Sequence, residues 1–441
     1  MLQLRYVLAF IVGLLISQAC AGTLLADTLV LSDSSEASEN GFYDTHLLDT
    51  IRENKLSVIT KKVTAEEVIE LADLNGNILY KNLLILPNKA KKLASNIDQD
   101  TLISFANNGG NVVIVSDDSG TQLDCTLFLN QLGIYPSPKG YKYTDFHADS
   151  SDIIAKPTDF INKYVISNKK TEVVLENPAI ALISNSEYLV PLLQTSRTSL
   201  STTSEDVLSD ATVWHTGKQG YAAVSFQGLN NGRITWIGSA SPFKDASFNR
   251  EFVNDIIQWT FQLKSVIKAT FFEHKRVNDA GEELPFVDED DYYKVKDYAH
   301  YTIGLSQYDL VSDSWIPFHA DDNVQLEFVM LDPYQRLNLN HTSDTNTEGI
   351  YTKQFQIPDQ HGMFTFKVDY KRPGLSYVTV EDVVPVRHLA NDEYARSWEI
   401  TNSYVYMAGY FVVVVAWLMF ITFFMLSGDR TNAVGQEKKD I

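Results

Sequence analysis

Unbroken apolar runs, each followed by a helical pattern, occupy the first part of the chain. Asp27-Thr-Leu-Val-Leu-Ser-Asp33 predicts a buried strand with an acidic end, and His46–Asn54 an amphipathic helix. The alternation continues with a strand at Leu56–Thr60, a helix at Ala65–Asp73 and a strand at Asn82–Pro87. A helix over Gln99–Asn107 stops at Gly109-Gly110, where glycine suits a left-handed cap, and Val112–Ser116 follows as a fourth strand. Leu123–Phe128 reads as a helix that buries Cys125. Arg233–Gly238 and Phe248–Leu263 read as a closing strand and helix. Continuously apolar strands that alternate with helices imply a parallel sheet covered on both faces, so the expected class is α/β, flavodoxin-like (amidotransferase-like), to about residue 265. Between these elements, Ser196–Asp210 is rich in Ser and Thr and predicts an exposed loop.

From about Tyr298 the period changes to two. Val324, Leu326, Phe328 and Met330 alternate with Gln325 and Glu327, and Phe364, Phe366, Val368 and Tyr370 alternate with Thr365, Lys367 and Asp369. Turn signals at Asp332-Pro333, Pro358-Asp359 and Arg372-Pro373-Gly374 separate the runs, and together they predict an antiparallel β-sandwich-like domain.

Two segments are apolar on all sides. The first, Tyr6–Ile16, follows Arg5 and precedes Ala19-Cys20-Ala21-Gly22, the arrangement of a secretory signal cut between Ala21 and Gly22. The second, Val405–Leu426, holds no charged residue, and about 22 residues rising ~1.5 Å each reach ~33 Å, enough to cross the hydrocarbon core. A cleaved leader and one later stop segment predict a type I protein, with its N-terminal mass in the lumen and the tail Ser427–Ile441 in the cytosol. Ala408 and Gly409, with Ala416 farther in, offer small side chains for close approach of a second helix; the plainer reading is that they fill an anchor. Lys438 and Lys439 stand fourth and third from the end, the spacing of the dilysine signal through which coat proteins retrieve membrane proteins to the endoplasmic reticulum.

Composition then removes several function classes. A formal net charge of -20 and a pI near 4.8 oppose non-specific binding to phosphates, so nucleic acid is not an expected partner. With Cys20 in the leader, Cys125 is alone in the mature chain, and an idle buried thiol is favoured over a reactive one. The nine histidines show no His-x-x-His or His-Glu-x-x-His spacing, and neither a Gly-x-Ser-x-Gly elbow nor a phosphate-binding glycine loop occurs. The acidic run Asp288-Glu289-Asp290-Asp291 contains an Asp-x-Asp but reads as a solvated loop, flanked in sequence by His274 and His300 without ligand spacing. No cofactor, metal or catalytic residue is therefore assigned. Ser32–Ser35 and Ser116–Gly120 follow strands, where a small ligand could sit, although turn and cap chemistry explains them as well. Asn340-His341-Thr342 is the chain's only Asn-x-Ser/Thr triplet, and it is expected in a polar loop between two strands as a glycan acceptor.

Trp315-Ile-Pro-Phe318, Asp321-Asp322, Val324-Gln-Leu-Glu-Phe-Val329 and Asp332-Pro333-Tyr334 resemble the non-catalytic, forty-eight-kilodalton-type (Wbp-type) subunit of the eukaryotic oligosaccharyltransferase. Phe355–Asp359, Gly362, Phe364–Tyr370, Leu29–Leu31 and Phe105–Val115 continue the likeness. The resemblance implies a complex of the endoplasmic reticulum membrane that moves a preassembled oligosaccharide from dolichyl diphosphate to asparagine. It implies a role in assembly, with catalysis in a separate multi-spanning subunit and with the α/β domain as a contact for glycan or nascent polypeptide. It supplies no catalytic residue.

The resulting division is a signal peptide at 1–21, an α/β domain at 22–265, a β-rich domain at 266–395, a linker at 396–404, a membrane helix at 405–426 and a tail at 427–441. The competing readings are a lumenal or surface sugar-binding receptor, and a hydrolase that uses the Ser/Asp loops. A surface receptor should not carry a working retrieval signal. Replacing Lys438 and Lys439 together with Ser in a reporter that bears only this anchor and tail is expected to release it to the cell surface; unchanged retention in surface labelling would mean that the lysines do not act.

Overall fold

The computed structural model of the chain describes residues 25–33, 42–63, 68–73, 77–87, 93–117, 120–167, 172–203, 213–244, 246–285, 293–331, 333–391, 393–394 and 402–437. The leader with its Ala21/Gly22 junction, the acidic run at 288–291 and the lysines at 438 and 439 lie outside these residues.

A nine-stranded mixed sheet organises the N-terminal region. Five strands run parallel in the order Val58–Val63, Ala26–Asp33, Tyr80–Ile85, Asn111–Val115 and Arg233–Ile237. Their unbroken apolar character follows from a core on each face. Leu29, Leu31, Val112 and Ile114 pack with Leu102, Phe105, Phe128 and Leu129 of the helices Gln99–Asn107 and Leu123–Leu132. Val30, Val113 and Val115 face the other way, against Leu47 and Ile51 of helix Phe42–Glu53 and Ile256 and Ile257 of helix Ala246–Thr260. The helix Gln99–Asn107 ends as its sequence predicts: Gly109 adopts φ 88°, and the next N–H, that of Gly110, returns to Phe105 O at 3.0 Å.

Four expectations need correction. The parallel arrangement ends at Arg233–Ile237; Tyr221–Gln227 pairs with it antiparallel, and Leu189–Gln194, Ala181–Ile183 and Ile134–Pro136 extend that antiparallel half. The helix expected over Ala65–Asp73 is not formed in its described part, 68–73. There the Asn96 side chain accepts from Ile69 N–H and donates to Ile69 C=O, both at 3.0 Å, and Leu71 O accepts from Leu79 N–H. These bonds occupy the backbone groups a helix would use. Part of the expected loop Ser196–Asp210 is the strand Ser199–Thr202, whose small polar side chains are buried against Lys142–Asp145 and Val213–Thr216. Period-two structure begins at Ile267, well before Tyr298, with the long strand Ile267–Val277 paired to Tyr298–Asp309.

The C-terminal part is sheet-rich, with two five-stranded sheets around one core. Tyr301, Ile303 and Leu305 of one sheet meet Leu326, Phe328, Phe364, Phe366 and Val368 of the other. The alternation read from the sequence therefore places its apolar set inward, and the rings of Phe328 and Phe364 stack at 4.6 Å.

Arg233 joins the two parts. It opens a central strand and is fully buried, and among the described residues no carboxylate pairs with it. Its Nη1 donates to Trp259 O (2.7 Å) and Lys264 O (2.8 Å), while Nη2 donates to Ser265 O (2.8 Å) and Ser376 Oγ (3.0 Å). Burial pulls the guanidinium down to about 9, which leaves it charged at neutral pH. The charge is met by carbonyl dipoles near the C-terminus of a helix and by the Trp259 ring, whose centroid lies 4.6 Å away.

The turn Arg372-Pro373-Gly374 and the residues after it clasp the α/β part. Trp259 Nε1 donates to Gly374 O at 2.7 Å, Gln227 Nε2 to Leu375 O at 2.7 Å, and Tyr377 N–H to Asn231 Oδ1 at 2.7 Å. Gly374 has φ 92°, and a Cβ there would meet the Asn162 amide, which donates to Pro373 O. Asp321 accepts from Tyr164 OH across the same junction, and Asp322 accepts from Tyr370 OH and pairs with Arg372.

Replacing Arg233 with Met is expected to strand the Lys264 carbonyl and to leave those of Trp259 and Ser265 with one donor each, Gln262 N–H and Ser376 N–H, at a cost of about 1–3 kcal/mol. Urea unfolding of the detergent-solubilised chain measures this, and a midpoint within error of the parent would refute the joint.

Candidate functional site

Three surfaces are open to a partner or ligand: the apolar helix, a polar cleft and an apolar groove. The helix Ser403–Glu437 contains a stretch, Ser403–Ser427, with mean hydropathy 2.4 and none of its most apolar window buried by the rest of the protein. Large side chains such as Phe411, Phe420 and Phe424 are about two-thirds exposed, an arrangement stable only if lipid or other helices cover them. Ala408, Gly409 and Ala416 lie on this exposed stretch, and a Cβ at Gly409 would meet nothing within 4 Å. The structure thus leaves all three small residues free for a neighbour.

The polar cleft, about 540 Å³, lies beside Tyr143, Asp145, Ser196 and Lys218. Asp145, which lines it together with Asp152 and Asp159, is already saturated. Asp145 accepts from Ser196 Oγ, from Thr198 Oγ1 at 2.6 Å and from the N–H groups of His147 (3.0 Å) and Ala148 (3.4 Å). Burial alone would raise its pKa, but these hydrogen bonds outweigh burial and hold it at about 2. Such a carboxylate organises loops and is a poor proton acceptor at neutral pH. Neighbouring His215 is buried and pulled down to about 4 by desolvation, so it is neutral there.

The apolar groove, about 550 Å³, runs between helices Gln99–Asn107 and Leu123–Leu132 and the Tyr221–Gln227/Arg233–Ile237 hairpin. Ile103, Phe128, Leu132, Tyr188, Phe226 and Leu229 line it.

The residues singled out from the sequence are placed as follows. Cys125 is buried, and desolvation pushes its thiol up to about 12, so it is inert. Ser116 is structural: its hydroxyl lies 2.7 Å from Thr121 Oγ1 and accepts from Trp236 Nε1 at 2.9 Å. His274 lies between Tyr293 OH and Asp382 Oδ2, each at 2.9 Å. Asn340 is exposed but sits on a strand, which corrects the expected loop: Asn340–Asp344 pairs antiparallel with Gly349–Gln356 at the sheet edge, Asn340 opposite Thr352. Its polar composition suits an edge strand with both faces in solvent, and that composition is why it reads as a loop.

Comparison with known proteins adds a family to this geometry. Residues 21–263 match the model "OST48, N-terminal domain" and residues 274–428 the model "OST48 middle domain". The chain is 39% identical over 425 residues to the dolichyl-diphosphooligosaccharide–protein glycosyltransferase subunit WBP1 of Saccharomyces cerevisiae, covering 94% of each chain. It is 29% identical over 383 residues to subunit wbp1 of the same-named glycosyltransferase in Schizosaccharomyces pombe, covering 82% of this chain and 85% of that one. It is 27% identical over 467 aligned positions to the 48 kDa subunit from Drosophila melanogaster, covering 98% of each.

Proposed function

The chain belongs to the OST48 family, and from that premise we propose that it is an accessory, non-catalytic subunit of the oligosaccharyltransferase of the endoplasmic reticulum membrane. In this reading the complex transfers a preassembled oligosaccharide from dolichyl diphosphate to Asn-x-Ser/Thr sites, and the chemistry resides in a separate multi-spanning subunit. The observation that carries the reading is the match to WBP1 along 94% of both chains, which takes in the α/β part, the β-rich part and the apolar helix together.

The finer assignments belong to the same proposal. The protein is single-pass and type I, with a leader at 1–21, a flavodoxin-like lumenal domain at 22–265, a β-sandwich-like lumenal domain at 266–395, a linker at 396–404, a span at 405–426 and a cytosolic tail at 427–441. Five parallel strands between two helical layers support the first of these domain assignments, and two sheets around one core the second. The partners are the catalytic and other subunits, membrane lipid, and coat proteins at Lys438 and Lys439. Ala408, Gly409 and Ala416 form the face of the span that another helix packs on, supported by their exposure and by the open space beside Gly409. Asn340 carries a glycan.

Affinity purification from detergent is expected to recover a multi-spanning glycosyltransferase subunit with this chain, and depletion to leave secreted glycoproteins underglycosylated. Recovery of the chain alone, with glycosylation unchanged, would sink the proposal. Exchanging Val405–Leu426 for an unrelated anchor should lower that recovery, and full recovery would reduce the span to a plain tether. Asn340→Gln should abolish an endoglycosidase-sensitive mobility shift, and the absence of any shift in the parent protein would show the triplet to be unused.

A further inference from the structure

Two segments distant in sequence place two imidazoles and a carboxylate on one patch of the β-rich part. His341 Nε2 lies 2.8 Å from Asp344 Oδ1, and His319 Nε2 lies 3.6 Å from Asp344 Oδ2. One donor atom from each residue falls within 4.8 Å of the other two. In a tetrahedral site with ~2.0–2.1 Å metal–ligand bonds, donor atoms stand ~3.3–3.4 Å apart, so small side-chain rotations close the set around one ion.

We propose that His319, His341 and Asp344 form a binding site for a borderline divalent metal of the Zn2+ type, with water at the remaining position. Two imidazoles and one carboxylate suit such an ion, whereas Mg2+ and Ca2+ prefer all-oxygen sets.

The backbone around the three residues is built to hold them. His341 stands opposite Tyr351 in the edge ladder, and their rings meet edge-on at 5.3 Å and 72°. The Tyr351 hydroxyl donates to Phe318 O at 3.1 Å and accepts from Ala320 N–H at 2.9 Å, so it grips the chain on both sides of His319. Gly349, which pairs with Asp344, lets this segment come close; a Cβ there would lie 2.5 Å from Phe318 O. One tyrosine and one glycine on a single strand thus set the separation of all three ligands. Side-chain exposures of 62% for His319, 36% for His341 and 42% for Asp344 leave an entry path and an open coordination position.

The competing account is an ordinary hydrogen-bonded pair of His341 and Asp344, with His319 nearby by chance. Zn2+ titration of the full-length protein in detergent, without a polyhistidine tag and against a chromophoric chelator, separates the two. His319→Ala, His341→Ala and Asp344→Asn are each expected to weaken the tightest Zn2+ equivalent at least tenfold with thermal melts unchanged; His341→Ala keeps the glycosylation triplet intact. A His361→Ala/His388→Ala double variant, which removes the other close imidazole pair with ring centroids 3.7 Å apart, should bind like the parent. Excess Mg2+ should not compete. Absence of a bound equivalent, binding unaltered by His319→Ala, or loss of binding in the double variant would overturn the proposal.

Discussion

The buried guanidinium of Arg233 is the constraint around which the seam between the α/β part and the β-rich part is built. A charge in a dry site must be answered, and here the answer comes from three main-chain carbonyls and a hydroxyl drawn from a helix end, the connection at 264–265 and the Ser376 segment. Of these groups the Ser376 hydroxyl comes from the β-rich part, whose Ser376 N–H also donates to Ser265 O at 3.2 Å, so the guanidinium and the carbonyls around it form the floor on which that segment sits. The clasp formed by Gly374, Leu375 and Tyr377 with Trp259, Gln227 and Asn231 adds polar bonds that are satisfied only in this arrangement.

The residues that carry the family resemblance take on a physical meaning at this junction. Asp321 and Asp322 accept from Tyr164 and Tyr370, and Trp315 lies under the Lys268 ammonium, 3.7 Å from the ring centroid, on a strand that pairs with the edge of Tyr298–Asp309. Asp321 thus ties the β-rich part to the α/β part, while Asp322 and Trp315 brace the β-rich part internally. In the polar cleft the Asp145 carboxylate is committed to hydrogen bonds and neighbouring His215 is neutral, so these two groups organise the loops around it.

Much was legible from local pattern. The parallel strands, the helices flanking them and the apolar span follow from periodicity and length, which depend on neighbours a few residues apart. Gly109 marked a helix end, and the inert state of Cys125 followed from its place on an apolar helix face. The misreadings at 68–73 and 199–202 share a cause. Asn96 supplies the bonds that replace a helix at Ile69, and two neighbouring strands bury Ser199 and Ser201, so in each case a distant partner overrode local composition.

By itself the sequence determined that the chain alternates strand and helix, then turns to period-two strands, then presents one stretch apolar enough to span a membrane, because each is a property of contiguous residues. Only the tertiary structure decided that Arg233 is buried without an acid, that an ordinary-looking Arg-Pro-Gly turn is the clasp between domains, and that His319 meets His341 and Asp344. These depend on register and on long-range closure: Tyr351 reaches Phe318 and Ala320 only once the ladder has aligned it opposite His341.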